Sequence, residues 1–83
     1  MKNMYYVYVL KSLSNNKRYI GYTGKNLLVR LNEHNTGSNK WTRENSPFVM
    51  IYNEEYKTKN GTIKREKFLK SGQGRKFLDN ILK

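Results

Sequence analysis

The sequence predicts a small α+β domain in which helices flank a three-stranded, mainly antiparallel sheet, in the order β-β-α-β-α-α. Three observations lead to this prediction. Two β-branched and aromatic segments stand close together near the N-terminus, a third stands in the middle of the chain, and segments with helical spacing of apolar residues follow the second and the third. The chain has 83 residues, which is enough for one domain, and we assign residues 1–83 to it.

The first two strands are predicted to pair as a hairpin. Residues 4–11 carry apolar or aromatic side chains on both faces, which is typical of an interior strand covered on both sides. Turn-forming residues at 12–16 lead into a second strand at 18–22. The third strand is predicted at 48–54, directly after Pro47, which stops any preceding helix.

Three helices complete the predicted fold. The first covers about residues 25–35, with Thr23 as its N-cap and Gly37 at its end. Residues 36–47 are rich in Ser, Asn and Thr and are predicted to form a loop. The other two helices are predicted at about residues 61–70 and 75–82, on either side of a break at 71–74.

The charge of the chain is strongly positive. Seventeen Lys and Arg residues face six Asp and Glu residues, which gives a net charge of +11. Such an excess weakens a compact fold by self-repulsion, so we expect a polyanionic partner. Nucleic acid is favoured over an anionic membrane surface because tyrosines lie among the cations, and aromatic rings stack on bases. The alternative is a basic surface that is merely solvated.

Composition also excludes several classes of protein. The chain has no cysteine, so neither a disulfide framework nor a thiolate zinc site supports its core. No apolar run approaches the roughly 18–20 residues of a membrane span, and no signal peptide is visible. We therefore expect a soluble cytoplasmic protein without a membrane partner.

The first predicted helix places two polar side chains together. Arg30 and His34 are four residues apart and lie at one edge of the apolar stripe, where both could reach a cleft beside the sheet. Two alternatives stay open: Arg30 could pair with Glu33 or Glu66, and His34 could be a helix-terminal histidine stabilised by the dipole. The apolar stripe itself consists of Leu27, Leu28 and Leu31.

The second predicted helix carries a carboxylate in an apolar arc. Glu66 projects between Ile63 and Leu69. Burying a carboxylate there costs free energy unless it is paired or bound to a cation. A salt bridge to a flanking basic residue and a metal ion are both compatible with the sequence.

Two tyrosines are expected on neighbouring strands. Tyr8 ends the segment Tyr6-Val7-Tyr8, and Tyr19 begins Tyr19-Ile20-Gly21. Phenolic hydroxyls held on a rigid sheet can act as acid, base or positioning groups. The alternative is that both are core aromatics with satisfied hydroxyls.

Together these segments resemble the GIY-YIG nuclease superfamily, in particular the small stand-alone bacterial proteins related to the nuclease module of the excision-repair endonuclease subunit UvrC. Tyr6-Val7-Tyr8 stands where the family has Gly-Ile-Tyr, with Tyr6 in place of the usual glycine, and Tyr19-Ile20-Gly21 matches Tyr-Ile-Gly. The segment 30–35 resembles the Arg-x-x-x-His helix, 63–67 the segment with the metal-binding glutamate, and 70–78 the tail of the stand-alone group.

The resemblance implies the GIY-YIG fold and a divalent-metal-dependent endonuclease that hydrolyses phosphodiester bonds in DNA, with RNA as a second substrate class. In this family Glu66 would hold Mg²⁺ or Mn²⁺, and Arg30 would contact the scissile phosphate. Tyr8 and Tyr19 would orient or deprotonate the attacking water, and His34 would relay a proton or bind the leaving group. Which tyrosine is the base stays open, since an unperturbed phenol has a pKa of about 10.

The resemblance also implies supporting residues. Gly21 completes the second motif, and Asn80 stands where the family often has a polar residue near the metal, although a plain helix-end role is the alternative. Trp41 either contacts nucleic acid or covers the core. The cations that we expect to contact nucleic acid are Lys25, Lys40, Arg43, Lys64, Lys67 and Arg75.

A second function class stays open. A non-catalytic nucleic-acid-binding module could retain the GIY-YIG fold and the basic surface. Because the chain has no separate DNA-binding domain, we expect structure-selective or weakly specific binding, and a homodimer or a partner protein would strengthen it.

Overall fold

The computed structural model describes residues 4–37 and 39–82; the other positions of the domain assigned to 1–83, including one of the predicted loop, lie outside the described residues. The sheet has the strand order β2-β1-β3, and both neighbours of β1 are antiparallel to it. This confirms the predicted sheet and the interior position of the first strand. The strands are β1 (Tyr5–Ser12), β2 (Arg18–Thr23) and β3 (Phe48–Tyr56).

Among the residues that the structure describes, four helices flank the sheet. The predicted order is confirmed, with one additional short helix inside the segment 36–47 that was predicted to be a loop. A reciprocal capping box forms this helix: the Asn39 side chain accepts from the Thr42 amide, and the Thr42 hydroxyl accepts from the Asn39 amide. The helices are α1 (Leu27–Asn35), α2 (Lys40–Asn45), α3 (Lys59–Lys70) and α4 (Gly72–Ile81).

The helix boundaries correct two predictions and agree with a third. Thr23 is not the N-cap of α1, because it ends β2, and the Asn26 side chain accepts from two first-turn amides instead. Gly37 does follow α1, with a positive φ of 84°. The break at 71–74 is limited to Ser71, whose hydroxyl caps α4, so that helix begins earlier than predicted.

Residues of β1 alternate between two buried clusters, one on each face of the sheet. Helices α3 and α4 cover one face, and α1 and α2 cover the other. Leu28 does not belong to the apolar stripe of α1 as predicted, because its side chain is 76% exposed. The buried apolar and aromatic residues of the two clusters are Val7, Val9, Leu69 and Leu78 on the first face and Tyr8, Leu10 and Phe48 on the second.

Among residues 4–37 and 39–82, no helix combines the length and the apolar content needed to cross a lipid bilayer.

Candidate active site

The strand register brings Tyr8 and Tyr19 to the same face of the sheet. Tyr8 pairs with Gly21, and Tyr19 pairs with Leu10, so the two tyrosines are diagonal neighbours with ring centroids 6.3 Å apart. Gly21 is required by this packing. A Cβ atom at that position would lie 2.7 Å from the Tyr8 hydroxyl oxygen, which is closer than van der Waals contact allows.

Helix α1 places two side chains on the Tyr8 hydroxyl. Its oxygen lies 2.8 Å from Nε2 of His34, and Arg30 Nε donates to it at 3.2 Å. Because the oxygen accepts a hydrogen bond from Arg30, the hydroxyl's own hydrogen can be donated to Nε2 of His34. The ring of Tyr8 and the whole of His34 are buried. The four-residue spacing on α1 therefore brings Arg30 and His34 to one atom.

Burial shifts the pKa of both buried partners. Burial, together with the positive charge of Arg30, lowers the pKa of His34 to about 4. It raises the pKa of Tyr8 to about 12, against the hydrogen bond from Arg30. At neutral pH His34 is thus a neutral imidazole that accepts from a neutral phenol. A neutral ring gains little from the helix dipole, which stabilises the charged form.

The second ring nitrogen of His34 is unusual. Nδ1 is buried and has no hydrogen-bond partner among the described residues. When Nε2 accepts from Tyr8, the hydrogen of the neutral ring sits on Nδ1. A buried donor without a partner costs about 1–3 kcal/mol, so stability alone does not account for this histidine.

A carboxylate orients Arg30. Arg30 Nη1 donates to Glu33 Oε1 at 2.9 Å, and Lys25 Nζ donates to the other Glu33 oxygen at 2.7 Å. These hydrogen bonds hold the pKa of Glu33 below its ordinary value. Arg30 pairs with Glu33, one of the two carboxylates considered above. Since Nε and Nη1 are engaged, the Nη2 donors face no acceptor within the described part of the chain and can serve an anion.

Glu66 lies on α3, whose Leu69 packs against the face of the sheet opposite to Tyr8. Burial is the main cause of the raised pKa of Tyr8, and the charge of Glu66 makes the smallest contribution to it. The Glu66 side chain is only 15% exposed and forms an ion pair with Lys70 at 3.5 Å. Lys70 is 53% exposed, and such i,i+4 pairs stabilise a helix by only about 0.3–0.5 kcal/mol. The pair does not explain why a carboxylate is largely buried here.

The donor set restricts the metals that fit. Residues 4–37 and 39–82 contain no group of three or more His, Cys, Asp or Glu side chains that could hold a metal. That excludes a structural zinc site within them. Magnesium is commonly held by one or two carboxylates together with phosphate oxygens and water. A single oxygen ligand from Glu66 therefore fits Mg²⁺ or Mn²⁺ that binds together with a phosphate.

A cavity of about 910 Å³ opens beside Tyr19. The Tyr19 ring stands between those of His34 and Trp41, at centroid distances of 4.8 and 5.2 Å. Trp41 both covers the core, stacked on Phe48, and lines the cavity. The two roles considered for Trp41 are thus not exclusive. The cations that line the cavity are Lys17, Arg18, Lys70 and Arg75.

The other residues singled out in the sequence lie outside this cluster. Asn80 is exposed on α4, and its neighbour Asp79 lines the cavity instead. Arg43 donates to the backbone oxygen of Gly37 at 3.2 Å, and Lys40 pairs with Glu44 at 3.8 Å. Lys64 and Lys67 are exposed on α3.

Sequence reasoning missed the anchor that holds α3 to the sheet. Arg65, next to Glu66, donates two hydrogen bonds to Glu54 of β3, at 2.8 and 3.0 Å. Tyr56 also donates to Glu54, at 2.7 Å, as does Tyr52. The only signal in the sequence was that two acidic residues, Glu54 and Glu55, are adjacent in a basic chain. That signal does not identify the partner of Glu54.

Comparison with known proteins agrees with this arrangement. A family model for the GIY-YIG catalytic domain matches residues 4–78. The UPF0213 protein of Staphylococcus haemolyticus is 35% identical over 68 residues, which cover 81% of this chain and 80% of that protein. A UPF0213 protein of Staphylococcus aureus has the same identity and coverage.

The solution NMR structure of a UPF0213 protein from Bacillus halodurans has the same fold. It superimposes with a TM-score of 0.56 at 26% identity, over 94% of this chain and 84% of that one. The family match extends from β1 into α4 and includes the candidate site residues Tyr8, Tyr19, Arg30, His34 and Glu66. This chain therefore belongs to the GIY-YIG catalytic domain family, and its relatives are the small stand-alone proteins called UPF0213.

Proposed function

We propose that this protein is a divalent-metal-dependent endonuclease that hydrolyses phosphodiester bonds in DNA with structure-selective or weak sequence preference. Membership of the GIY-YIG family indicates a nuclease-type function. The observation that carries the finer proposal is the Tyr8 hydroxyl held between Arg30 and His34. The net charge of +11 suits a polyanionic substrate.

Arg30 binds the scissile phosphate. Glu33 fixes its guanidinium through Nη1, and the Nη2 donors point charge-assisted hydrogen bonds at a phosphoryl oxygen. Such preorganised donors stabilise the negative charge that develops in the transition state. Glu66 would hold the divalent cation, which when bound neutralises charge on the phosphoryl oxygens.

Tyr8 and His34 move the proton of the attacking water. The Tyr8 oxygen takes the proton from the water while its own proton passes to Nε2 of His34, so no free phenolate is needed at neutral pH. A phosphate in the site adds negative charge near His34, which raises the low pKa of the imidazole and favours this transfer. Tyr8, rather than Tyr19, is thus our candidate base, and Tyr19 positions the His34 ring.

The remaining parts of the proposal concern context. DNA is the substrate we propose, and the cytoplasm is where a bacterial enzyme of this kind would meet it. RNA, a second copy of the chain and a partner protein are not needed for the chemistry.

A nuclease assay tests the proposal. The parent protein is incubated with Mg²⁺ or Mn²⁺ and with duplex, nicked, branched and single-stranded DNA, beside Arg30→Ala and Glu66→Ala. Glu55→Ala is the matched control, because Glu55 is an exposed carboxylate of β3. We expect cleavage by the parent and the control and a loss of about 100-fold or more in the two site variants.

Failure of the parent to cut any substrate, while it still binds DNA with steep salt dependence, would favour the non-catalytic binding module. Equal activity of Glu66→Ala and the parent would contradict the assignment of Glu66.

A further inference from the structure

We propose that the cavity beside Tyr19 binds unpaired nucleotides of the DNA strand that is cut. That the bound strand is then cut rests on the proposed nuclease function, whereas the binding of the strand is argued from the cavity itself. At about 910 Å³ the cavity lies at the upper end of the volumes of ligand sites. It has room for more than one nucleotide of a flexible strand.

The charge of the lining favours a polyanion. Four cations from the β1–β2 turn, β2, α3 and α4 face a single carboxylate, Asp79. Arg18 pairs with Asp79 at 2.7 Å, and Lys70 pairs with Glu66. Lys17 and Arg75 have no ion pair among the described residues. Two cations are thus left to contact phosphates of a strand in the cavity.

The aromatic wall favours bases that are not paired. Trp41 lines the cavity and is held in place by its packing against Phe48 and Tyr19. Cations that track a backbone beside an aromatic surface are the usual combination in single-strand binding sites. A paired base would first have to leave its stack, which costs a few kcal/mol. Duplex DNA is therefore disfavoured in this cavity.

The cavity borders the candidate active site at Tyr19 and Lys70. Tyr19 belongs to both, since its ring lines the cavity and lies 4.8 Å from that of His34. Lys70 also belongs to both, because it lines the cavity and pairs with Glu66. A strand seated in the cavity would lead its next phosphate toward Tyr8 and Glu66. The substrate we infer is DNA with a single-stranded segment beside the scissile bond.

Fluorescence tests this inference without cleavage. Trp41 is the only tryptophan of the chain, so its emission reports directly on the cavity. The protein is titrated in EDTA with an oligothymidylate and with a hairpin duplex that has the same number of phosphates. We expect the single strand to quench Trp41 and to bind about 10-fold or more tightly than the duplex.

Matched variants locate the binding. Arg75→Gln and Lys17→Gln remove cavity cations, whereas Lys76→Gln removes the exposed neighbouring charge that does not line the cavity. We expect the first two to weaken single-strand binding by about 5-fold or more and the third by less than about 2-fold.

The inference is overturned if the duplex binds as tightly as the single strand, if Trp41 is not quenched, or if Lys76→Gln costs as much as Arg75→Gln. If single-stranded DNA quenches Trp41 but is not cleaved in the presence of any divalent metal, only the proposed function is overturned. Cleavage confined to fully paired DNA would overturn the inference that the cavity binds unpaired nucleotides, but not the proposed nuclease function.

Discussion

The Tyr8 hydroxyl lies 2.8 Å from Nε2 of His34, and both side chains are buried between the sheet and α1. The strand and the helix that carry them are joined by this contact and by the hydrogen bond that Arg30 Nε donates to the same hydroxyl oxygen. Buried polar networks of this kind are sensitive to the loss of any member, because each remaining group is left unsatisfied. The first predictions concern this network.

Tyr8→Phe should abolish cleavage with little change of fold. The substitution removes the proton acceptor and leaves Nε2 of His34 without its donor, so we expect a loss of about 100-fold or more in cleavage rate and about 1–3 kcal/mol of stability. Cleavage assays and thermal unfolding measure both. Tyr6→Phe is the control, because the Tyr6 hydroxyl has no hydrogen bond within the described residues. A Tyr8→Phe protein that cuts at the parent rate would exclude Tyr8 as the base.

The protein should become less stable as the pH decreases, because of His34. Its pKa is lowered from 6.5 to about 4 in the folded protein, so the unfolded chain binds the extra proton first as pH falls. The contribution is therefore present above pH 6.5 and is lost progressively toward pH 4. We expect His34 to account for about 1–3 kcal/mol of that loss.

Chemical denaturation at several pH values measures this dependence. His34→Gln is the comparison, since it keeps a polar side chain that does not titrate. The parent should lose more stability than His34→Gln between pH 6.5 and pH 4. If the stability of the two proteins changes with pH in the same way, burial does not lower the pKa of His34.

Gly21→Ala should disturb Tyr8 specifically. The added methyl group would lie 2.7 Å from the hydroxyl oxygen and 2.9 Å from Cζ of the Tyr8 ring, so the ring must move. We expect a loss of about 1–3 kcal/mol from overpacking together with reduced cleavage. Gly72→Ala is the control, because a Cβ there meets nothing within 4 Å. Thermal unfolding that ranks the two variants in the opposite order would refute this packing.

Breaking the Glu54–Arg65 pair should loosen α3. Both side chains are largely buried, and Glu54 also accepts from two tyrosines. We expect Glu54→Gln to cost about 1–3 kcal/mol. The same change at Glu44, which is exposed and 3.8 Å from Lys40, should cost less than about 0.5 kcal/mol. Denaturant unfolding of both variants measures these losses. Equal losses of stability in the two variants would contradict the claim that the Glu54–Arg65 pair anchors α3 to the sheet.

The sequence was sufficient where local periodicity decides the structure. Apolar side chains on both faces of β1 predicted an interior strand, and the four-residue spacing of Arg30 and His34 predicted that both share one edge of α1. Helix α2 was missed because it is short and polar and depends on the capping box between Asn39 and Thr42 rather than on an apolar stripe.

Contacts between distant segments could not be predicted. The pairing of Glu54 with Arg65 joins β3 to α3, and no local pattern specifies it. The cavity requires β2, α2, α3 and α4 to meet, so Lys17 and Trp41 acquire neighbours that their own segments do not reveal.

The most direct test of the central claim is single-turnover cleavage of bound DNA by the parent protein and by Glu66→Gln, with Mg²⁺ present and binding measured on the same samples. We expect both proteins to bind DNA to a similar extent, while the cleavage rate of Glu66→Gln falls by about 100-fold or more. An unchanged cleavage rate in Glu66→Gln would contradict the claim that Tyr8, Arg30, His34 and Glu66 form a metal-dependent active site.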